Sequence, residues 1–504
     1  TANSDSDLAS YKFYGDTLAA PTTIIVSPSK TTTTFTHMNL VNDKTYFYRI
    51  SAVDTSGNES EASSDVSATP FDDTPPSTWI SGLGGSSRDE GGAISVDAEG
   101  NIYLAGYFGS TADFDPGSGT SNLTSTGSYD IFLSKYNSLG GIIWAKRMGG
   151  TYSDQAKAVT TDGNANIYIT GFISGDGDFD GDGISDISSQ GSSDIFFAKY
   201  DSSGTLIWAK SMGGSDSDYG QDIALDGSGN VYVTGYFNSA MDIDPSSGTT
   251  TLTSAGAADI FIAVYKNDGT FLRGFSLGGS DDDYAYSMDL DGSSNVYVTG
   301  NYSSTADFDP GSGSANLTAV GEYDIFVSKF DNAGSFVWAK SFGGSGSDYG
   351  QSIDVDAIGN TVIAGYYSGT GDFDPGSGSA SLTSSGGDDM VFIKLNNSGD
   401  LTFAKSLGGT STDRASAVAV DGLGSIHLAG AYSSTVDFDP GSGTNNLTSG
   451  GSTDIFLGKY GSDGSFDWAK GLGGSSSDYG NAITVDGNRN VYATGFFQGS
   501  ADLD

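Results

Sequence analysis

A regular beat restricts this chain more than anything else in it. A Gly-Gly pair behind an apolar or aromatic stretch begins at Gly84, Gly149, Gly213, Gly278, Gly343, Gly408 and Gly473, 65 residues apart with a single step of 64. An aspartate closing the next stretch keeps the same time at Asp97, Asp162, Asp226, Asp291, Asp356, Asp421 and Asp486. Self-similarity at such a period means that one supersecondary unit is stacked many times, which decides the architecture before any single residue is weighed.

The order within a unit is constant. AISVDAEGNIYLAGYF predicts two short strands, 93–97 and 102–108, joined by an acidic turn containing glycine at 98–101. A loop carrying ADFDPGSG and NLTS follows, and then DIFLSKYNSLGGIIWAK, a hairpin whose second arm ends at Trp144. Four such strands are too short to be stable alone and must bury their faces against neighbouring copies. Radial stacking of four-stranded sheets does this, with an open solenoid as the alternative. The ends are complementary: Thr78–Gly85 matches the tail of the fourth strand in Ile143–Gly150, while the last unit supplies AITVD and NVYATGFF and runs to Asp504. The expectation is an all-β fold with a seven-bladed propeller over 79–504. The strand around Trp79 would close the ring by pairing with the blade that contains Ala482 to Phe497, one strand of which these residues do not supply.

Composition agrees: 75 Gly, 28 Phe and 27 Tyr with only 10 Pro suit aromatic strands joined by tight turns. The formal net charge of −42 would repel nucleic acid and anionic membranes, so neither is expected as a partner. The chain has no cysteine and no run of 18 apolar residues, so neither disulfides nor a membrane-spanning helix is expected.

Residues 1–70 differ, with Thr and Val runs and little glycine. Tyr46, Tyr48 and Ile50 alternate with Phe47, Arg49 and Ser51 as in a strand, before an Asp-Thr-Ser-Gly-Asn turn. From the strand containing Tyr11–Tyr14 onward this segment resembles a fibronectin type III domain, with Leu40 and Tyr46 at the tyrosine-corner positions and AVDTSGNES as the turn before the last strand. The family's first two strands have no counterpart, so a partial domain is expected, followed by a proline-stiffened linker at 71–78. The repeat from Trp79 onward resembles the bacterial beta-propeller repeat family of secreted and surface proteins. Its signature D-x-G-x-x-I-x-V-D-x-x-G-N-x-Y-x-x-G is met by Asp218–Gly235 and by Asp348–Gly365, where Thr361 and Val362 replace the usual Val and Tyr. The resemblance implies a secreted or cell-surface location.

The loop after the second strand carries an Asp-x-Asp pair in each unit: Asp113 and Asp115, Asp178 and Asp180, Asp242 and Asp244, Asp307 and Asp309, Asp372 and Asp374, Asp437 and Asp439, Asp502 and Asp504. In an extended segment both carboxylates of a pair point one way, and hard oxygen ligands without His or Cys suit calcium. Asp-Pro-Gly is equally a good turn, with Asp as its cap. The second copy stands apart, because Asp178, Asp180, Asp182, Gly183 and Asp186 fall at positions 1, 3, 5, 6 and 9 of an EF-hand-type loop, with the Ile184 carbonyl available and Ser189 in place of the bidentate Glu.

Catalysis is not expected. His37 and His427 are isolated, and the arginines at 49, 88, 147, 273, 414 and 489 are scattered. The function these features support is a non-catalytic, calcium-stabilised structural or adhesion module whose partner is a cell-surface or extracellular protein or glycan. A glycan-binding propeller is the alternative, motivated by Tyr152, Tyr219, Tyr284, Tyr349 and Tyr479 after the Gly-Gly turns; packing between blades is the competing role for those rings. A glycoside-active enzyme has the least support.

Overall fold

A computed structural model describes residues 7–32, 37, 44–68 and 79–502. By its internal packing the chain falls into two units, Thr1–Thr78 and Trp79–Asp504. No helix occurs among the described residues.

The first unit is one antiparallel sheet of Leu8–Asp16, Ile24–Val26, Tyr46–Asp54 and Val66–Ala68, in the spatial order second, first, third, fourth. Tyr46 to Ile50 are half-buried on both faces, and only Ser51 in that strand is fully covered. Alternation therefore does not separate a core face from a solvent face, and no second sheet packs here among the described residues. Lys12 donates to Glu59 at 2.6 Å across the sheet. Leu40 and the linker at 71–78 lie outside the described residues.

The second unit is a series of propeller-like sheets. Sheet I is the meander Asp89–Val96, Ile102–Phe108, Asp130–Tyr136, Ile142–Met148. Sheets II to VI repeat it, with first strands Gln155–Thr161, Tyr219–Leu225, Asp283–Leu290, Tyr349–Val355 and Arg414–Val420. Sheet VII has two strands, Tyr479–Val485 and Val491–Phe496. Each first strand packs beside the first strand of the next sheet, and that of sheet VII packs beside that of sheet I. The core lies between sheets. Ile131 and Leu133 of sheet I, for example, share one cluster with Ile167, Ile169, Phe196 and Tyr200 of sheet II.

The beat in the sequence has a steric cause. After each fourth strand the Gly-Gly pair aligns with the acidic excursion of the next unit, as Gly213 with Asp242 and Gly214 with Met241. The backbones approach so closely that a Cβ on Gly150 would lie 1.9 Å from the Asp176 carbonyl oxygen. Glycine is obligatory there. A buried aspartate locks each junction: Asp154 accepts from Gly150 N at 2.7 Å and from Ser174 N at 2.8 Å. Asp218, Asp283, Asp348, Asp413 and Asp478, all buried, and the half-buried Asp89 accept in the same way from their own Gly-Gly pairs. The aspartates that mark the second beat hold the turn between first and second strands. Asp97 accepts from Glu99 N and Asn101 N with one oxygen and from Asn101 Nδ2 and Tyr103 OH with the other.

One expectation needs correction. The segment at Trp79 forms no strand with sheet VII. It is irregular up to Leu83, and only Gly84–Gly85 pair, with Ala112 and Asp113 of the acidic excursion that follows the second strand of sheet I. The physical reason is that a fourth strand hydrogen-bonds to a third, and sheet VII has no third strand among the described residues.

Candidate functional site

Residues from the first strands of all seven sheets surround one cavity of about 260 Å3. It is lined by Gly92, Lys157, Gln221, Tyr286, Gln351, Ser416 and Asn481, together with Glu90 and Tyr107. The first seven are the third residues after the seven clamping aspartates, so the repeat delivers the same position from every sheet to one point. A backbone bulge recurs at this position, as between Gly220 and Asp222 or Gly350 and Ser352, and it aims the extra residue. Asn481 Nδ2 donates to the Gly91 carbonyl at 3.1 Å and to Glu90 Oε1 at 3.3 Å, joining sheet VII to sheet I across the cavity wall. Burial pulls the Lys157 ammonium below its usual value, while the charge of Glu90 works the other way. Tyr107 OH donates to Glu90 Oε2 at 2.5 Å.

Aromatic rings flank this mouth. Tyr219, Tyr284, Tyr349 and Tyr479 each stand two residues before the lining residue of their sheet. Tyr219 lies 5.1 Å from Tyr236, Tyr236 lies 4.7 Å from Tyr284, and Tyr284 stacks on Tyr286 at 6.3 Å. Tyr349 stacks on Tyr366 at 4.8 Å and Tyr479 on Phe496 at 5.0 Å. Arg414 takes the tyrosine's place in sheet VI, with its guanidinium 4.5 Å from the Tyr366 ring and bound to Asp388. All four tyrosines are half-buried. Tyr152 stands apart from these four: it is 62% exposed and lies in the Gly-Gly turn, and the residue of sheet II equivalent to Tyr219 is Gln155.

Three aspartates tie the first strands to one another. Asp222 accepts from Met288 N, Asp289 from Val355 N and Asp354 from Val420 N, each reaching from its own sheet to the next. Burial raises Asp222 and Asp354 to about 6. It raises Asp289 as well, assisted by the adjacent charge of Asp354. Among the residues chosen from sequence none of these appears, because no motif marks them.

The acidic loops divide into two kinds. In five of them the first aspartate closes the loop. Asp113 accepts from Asp115 N and Ser121 N, and Asp242, Asp307, Asp372 and Asp437 accept from the same two positions of their own loops. Asp115, Asp309, Asp374 and Asp439 accept from the Gly N two residues on, and Asp244 from Ser246 N. The loop of the second unit gathers Asp178, Asp180 and Asp186 so that one oxygen of each lies within 4.8 Å of the others, the one such group of three among the described residues. Asp178 accepts from Gly181 N and Gly183 N, and Asp186 from Phe179 N and Asp180 N, so the backbone wraps around the carboxylates. Asp182 stands outside the group and accepts from Ile184 N at 2.7 Å. The trio presents hard, anionic oxygens of the kind that suit calcium.

Two stretches, residues 207–240 and 467–495, match the beta-propeller repeat. These matches and the repeating sheets define the class: an all-β protein of propeller-like repeats. An uncharacterized WD repeat-containing protein of Acanthamoeba polyphaga mimivirus is 26% identical over 432 residues, which cover 71% of this chain and 31% of that protein. The regulatory protein FlaEY of Caulobacter vibrioides is 26% identical over 260 residues, 48% of this chain and 26% of its own length. This chain thus spans about a third or less of either relative. Among solved structures, rhamnogalacturonan lyase YesW aligns over 97% of this chain and 85% of its own, at 14% identity and a TM-score of 0.31.

Proposed function

We propose that this chain is a non-catalytic binding module of a secreted or cell-surface protein: a partial fibronectin type III domain followed by a seven-bladed propeller that holds a glycan at its axial mouth and a calcium ion in the loop 178–186. The observation that carries the binding role is a contrast within the repeat. Clamp aspartates and Gly-Gly pairs recur in all seven units, whereas the position facing the cavity reads Gly92, Lys157, Gln221, Tyr286, Gln351, Ser416, Asn481. Positions that serve only the scaffold stay uniform, and the ring that faces a ligand need not. Amide and hydroxyl groups offer paired donors and acceptors, and the flanking tyrosines offer flat apolar faces. A sugar ring, with hydroxyls at its rim and C–H groups on its faces, matches both. A catalytic role is not favoured, because Asp222, Asp289 and Asp354 are all committed to backbone N–H groups.

The test is a glycan array followed by calorimetry. Gln351→Ala and Tyr286→Ala should each weaken the best hit at least tenfold without lowering the melting temperature, and Tyr152→Ala should leave it unchanged. Binding that survives both mouth substitutions would sink the assignment. For calcium, the trio Asp178, Asp180 and Asp186 with the Ile184 carbonyl would give a site with a dissociation constant on the order of 0.1–1 mM. Titration of chelator-treated protein should release heat that Asp180→Asn with Asp182→Asn abolishes; equal heats in both proteins refute it. The five loop-closing pairs are assigned to turn formation.

A further inference from the structure

Of the seven residues that the first strands bring to the axial cavity, one is charged. Lys157 of sheet II stands among a glycine, three side-chain amides, a phenol and a hydroxyl. Lysines enclosed elsewhere in the sheets are engaged by the protein itself. Lys135 Nζ donates to the Ser202 carbonyl at 3.2 Å, and Lys199 and Lys329 donate to Asn267 Oδ1 and Asn397 Oδ1. Lys157 is half-buried, with its Nζ 5.8 Å from the centre of the Phe172 ring, and has neither a hydrogen-bond acceptor nor an ion-pair partner for that Nζ among the described residues. An ammonium partly withdrawn from water without a partner is costly, and an incoming acceptor removes that cost.

The other charge lining the cavity is already committed. Glu90 Oε2 accepts from Arg88 Nη2 at 2.8 Å and from Tyr107 OH at 2.5 Å, and Glu90 Oε1 accepts from Asn481 Nδ2 at 3.3 Å. Arg88 balances the charge of Glu90, as Asp388 balances Arg414 among the flanking rings. The lining is left with one uncompensated positive charge in a chain of net charge −42.

We infer that the axial cavity takes an acidic sugar, one whose carboxylate or sulfate ester accepts from the Lys157 ammonium; the inference rests on the glycan reading above. An ammonium is a compact point charge with three donors, and its hydrogen bond to an anion is about twice as strong as a neutral one. Gln221 of the adjacent sheet III offers an amide beside it. Gln351 and Ser416 come from sheets V and VI, the farthest from sheet II in the order in which the first strands pack, and would meet the hydroxyls of the same sugar. At about 260 Å3 the cavity is below the about 300–1,000 Å3 of pockets for drug-sized ligands, so it admits one acidic residue, with the rest of the glycan over the flanking tyrosines. The chain's negative charge does not forbid this. Charges farther than about 8 Å are screened at physiological salt, whereas a contact pair in the cavity is not. A nucleic acid lying across the acidic surface meets the repulsion that a single acidic sugar escapes.

The experiment uses the full chain in about 0.15 M salt with a tetrasaccharide of glucuronic acid, its methyl ester, which keeps the shape and removes the charge, and a sulfated galactose tetrasaccharide. Calorimetry should show the acid or the sulfate bound at least tenfold tighter than the ester, and the tighter of the two identifies the anionic group. Lys157→Gln should abolish that preference by weakening the anionic probe alone, at an unchanged melting temperature, and Lys157→Arg should keep it. Should Lys157→Gln fail to fold, Lys157→Met, which fills the same space with an uncharged stem, takes its place. Equal affinity for the anionic and esterified probes, array hits confined to neutral glycans, or a preference that survives loss of the ammonium would overturn the inference and leave the glycan reading standing. An array without any hit would overturn both.

Discussion

Acidification should stabilise the propeller-like unit between pH 8 and pH 5. The cause is four of the clamp aspartates, Asp154, Asp218, Asp283 and Asp348, which are fully enclosed and yet face other carboxylates. Burial, with the charges of Asp194 and Asp216 behind it, raises Asp218 to about 7, and burial with Asp259 and Asp282 raises Asp283 to about 7. Asp154 and Asp348 rise to about 6 for the same reason. In the unfolded chain each returns to about 3.8. Between those values the folded state holds a proton that the unfolded state has lost, so stability is fully present below pH 4 and falls as pH rises through 6 to 7. At about 1.4 kcal/mol per unit, Asp218 and Asp283 each contribute roughly 2–3 kcal/mol more at pH 5 than at pH 8, as an upper value because neighbouring clamps share partners. The chain's net charge of −42 also favours lower pH, so urea denaturation should be run in about 0.5 M salt, where surface repulsion is screened and burial is not. The midpoint should rise from pH 8 to pH 5. Asp218→Asn, less stable overall because it loses one accepted bond, should show a pH difference smaller by about 2 kcal/mol. A wild-type midpoint that is flat or rises with pH, or an equal pH difference in both proteins, would refute the reasoning. Below about pH 4 the trend should reverse: Asp97, Asp162 and Asp291 are held low against burial by their Asn partners and lose that contribution on protonation.

Gly150→Ala should cost about 3 kcal/mol or prevent folding, since its Cβ meets the Asp176 carbonyl oxygen at 1.9 Å; Gly163→Ala, which meets nothing within 4 Å, should be near neutral in the same melting assay. Leu133→Ala should cost about 2–5 kcal/mol and Leu457→Ala clearly less, because only the first side chain is fully enclosed. Equal costs would refute the link between enclosure and cost at this position.

Much of the second unit was legible because its repeat is enforced by sterics. Where two backbones pass within contact distance only glycine fits, and a buried aspartate must follow at a fixed offset to satisfy the exposed amides, so Gly-Gly and Asp appear in the sequence as a period. The strand 102–108 was readable for a related reason, as the apolar run after a turn fixed by Asp97 and Asn101. Pairing at Trp79 was misread from the motif alone: the motif gives the position of a fourth strand, but a fourth strand hydrogen-bonds to a third, the strand that residues 79–504 do not supply to that sheet. Tyr152 follows its glycine pair three residues earlier than the other tyrosines do: the offset of six from Gly213 to Tyr219, counted from Gly149, arrives at Gln155.

The axial residues were hidden for the opposite reason. A search for repeats finds what the seven units share, and the cavity is lined by what they do not share. Lys157, Gln221, Tyr286 and Ser416 have no common chemistry and so make no motif, yet one rule finds them, the third residue after each clamp aspartate. A ring of identical units would present a symmetric cavity, able to hold only a symmetric ligand or an ion on its axis. Divergence at this one position breaks that symmetry. It gives one wall a cation beside Glu90, another a phenol stacked on Tyr284, and a third the amides of Gln351 and Asn481. The clamps that fix the backbone at every junction allow this position to vary without loss of the fold, since a residue aimed inward from a bulge carries no sheet pairing of its own. The same repetition that makes the scaffold legible thus leaves one variable side chain per sheet, and those side chains meet at a single point.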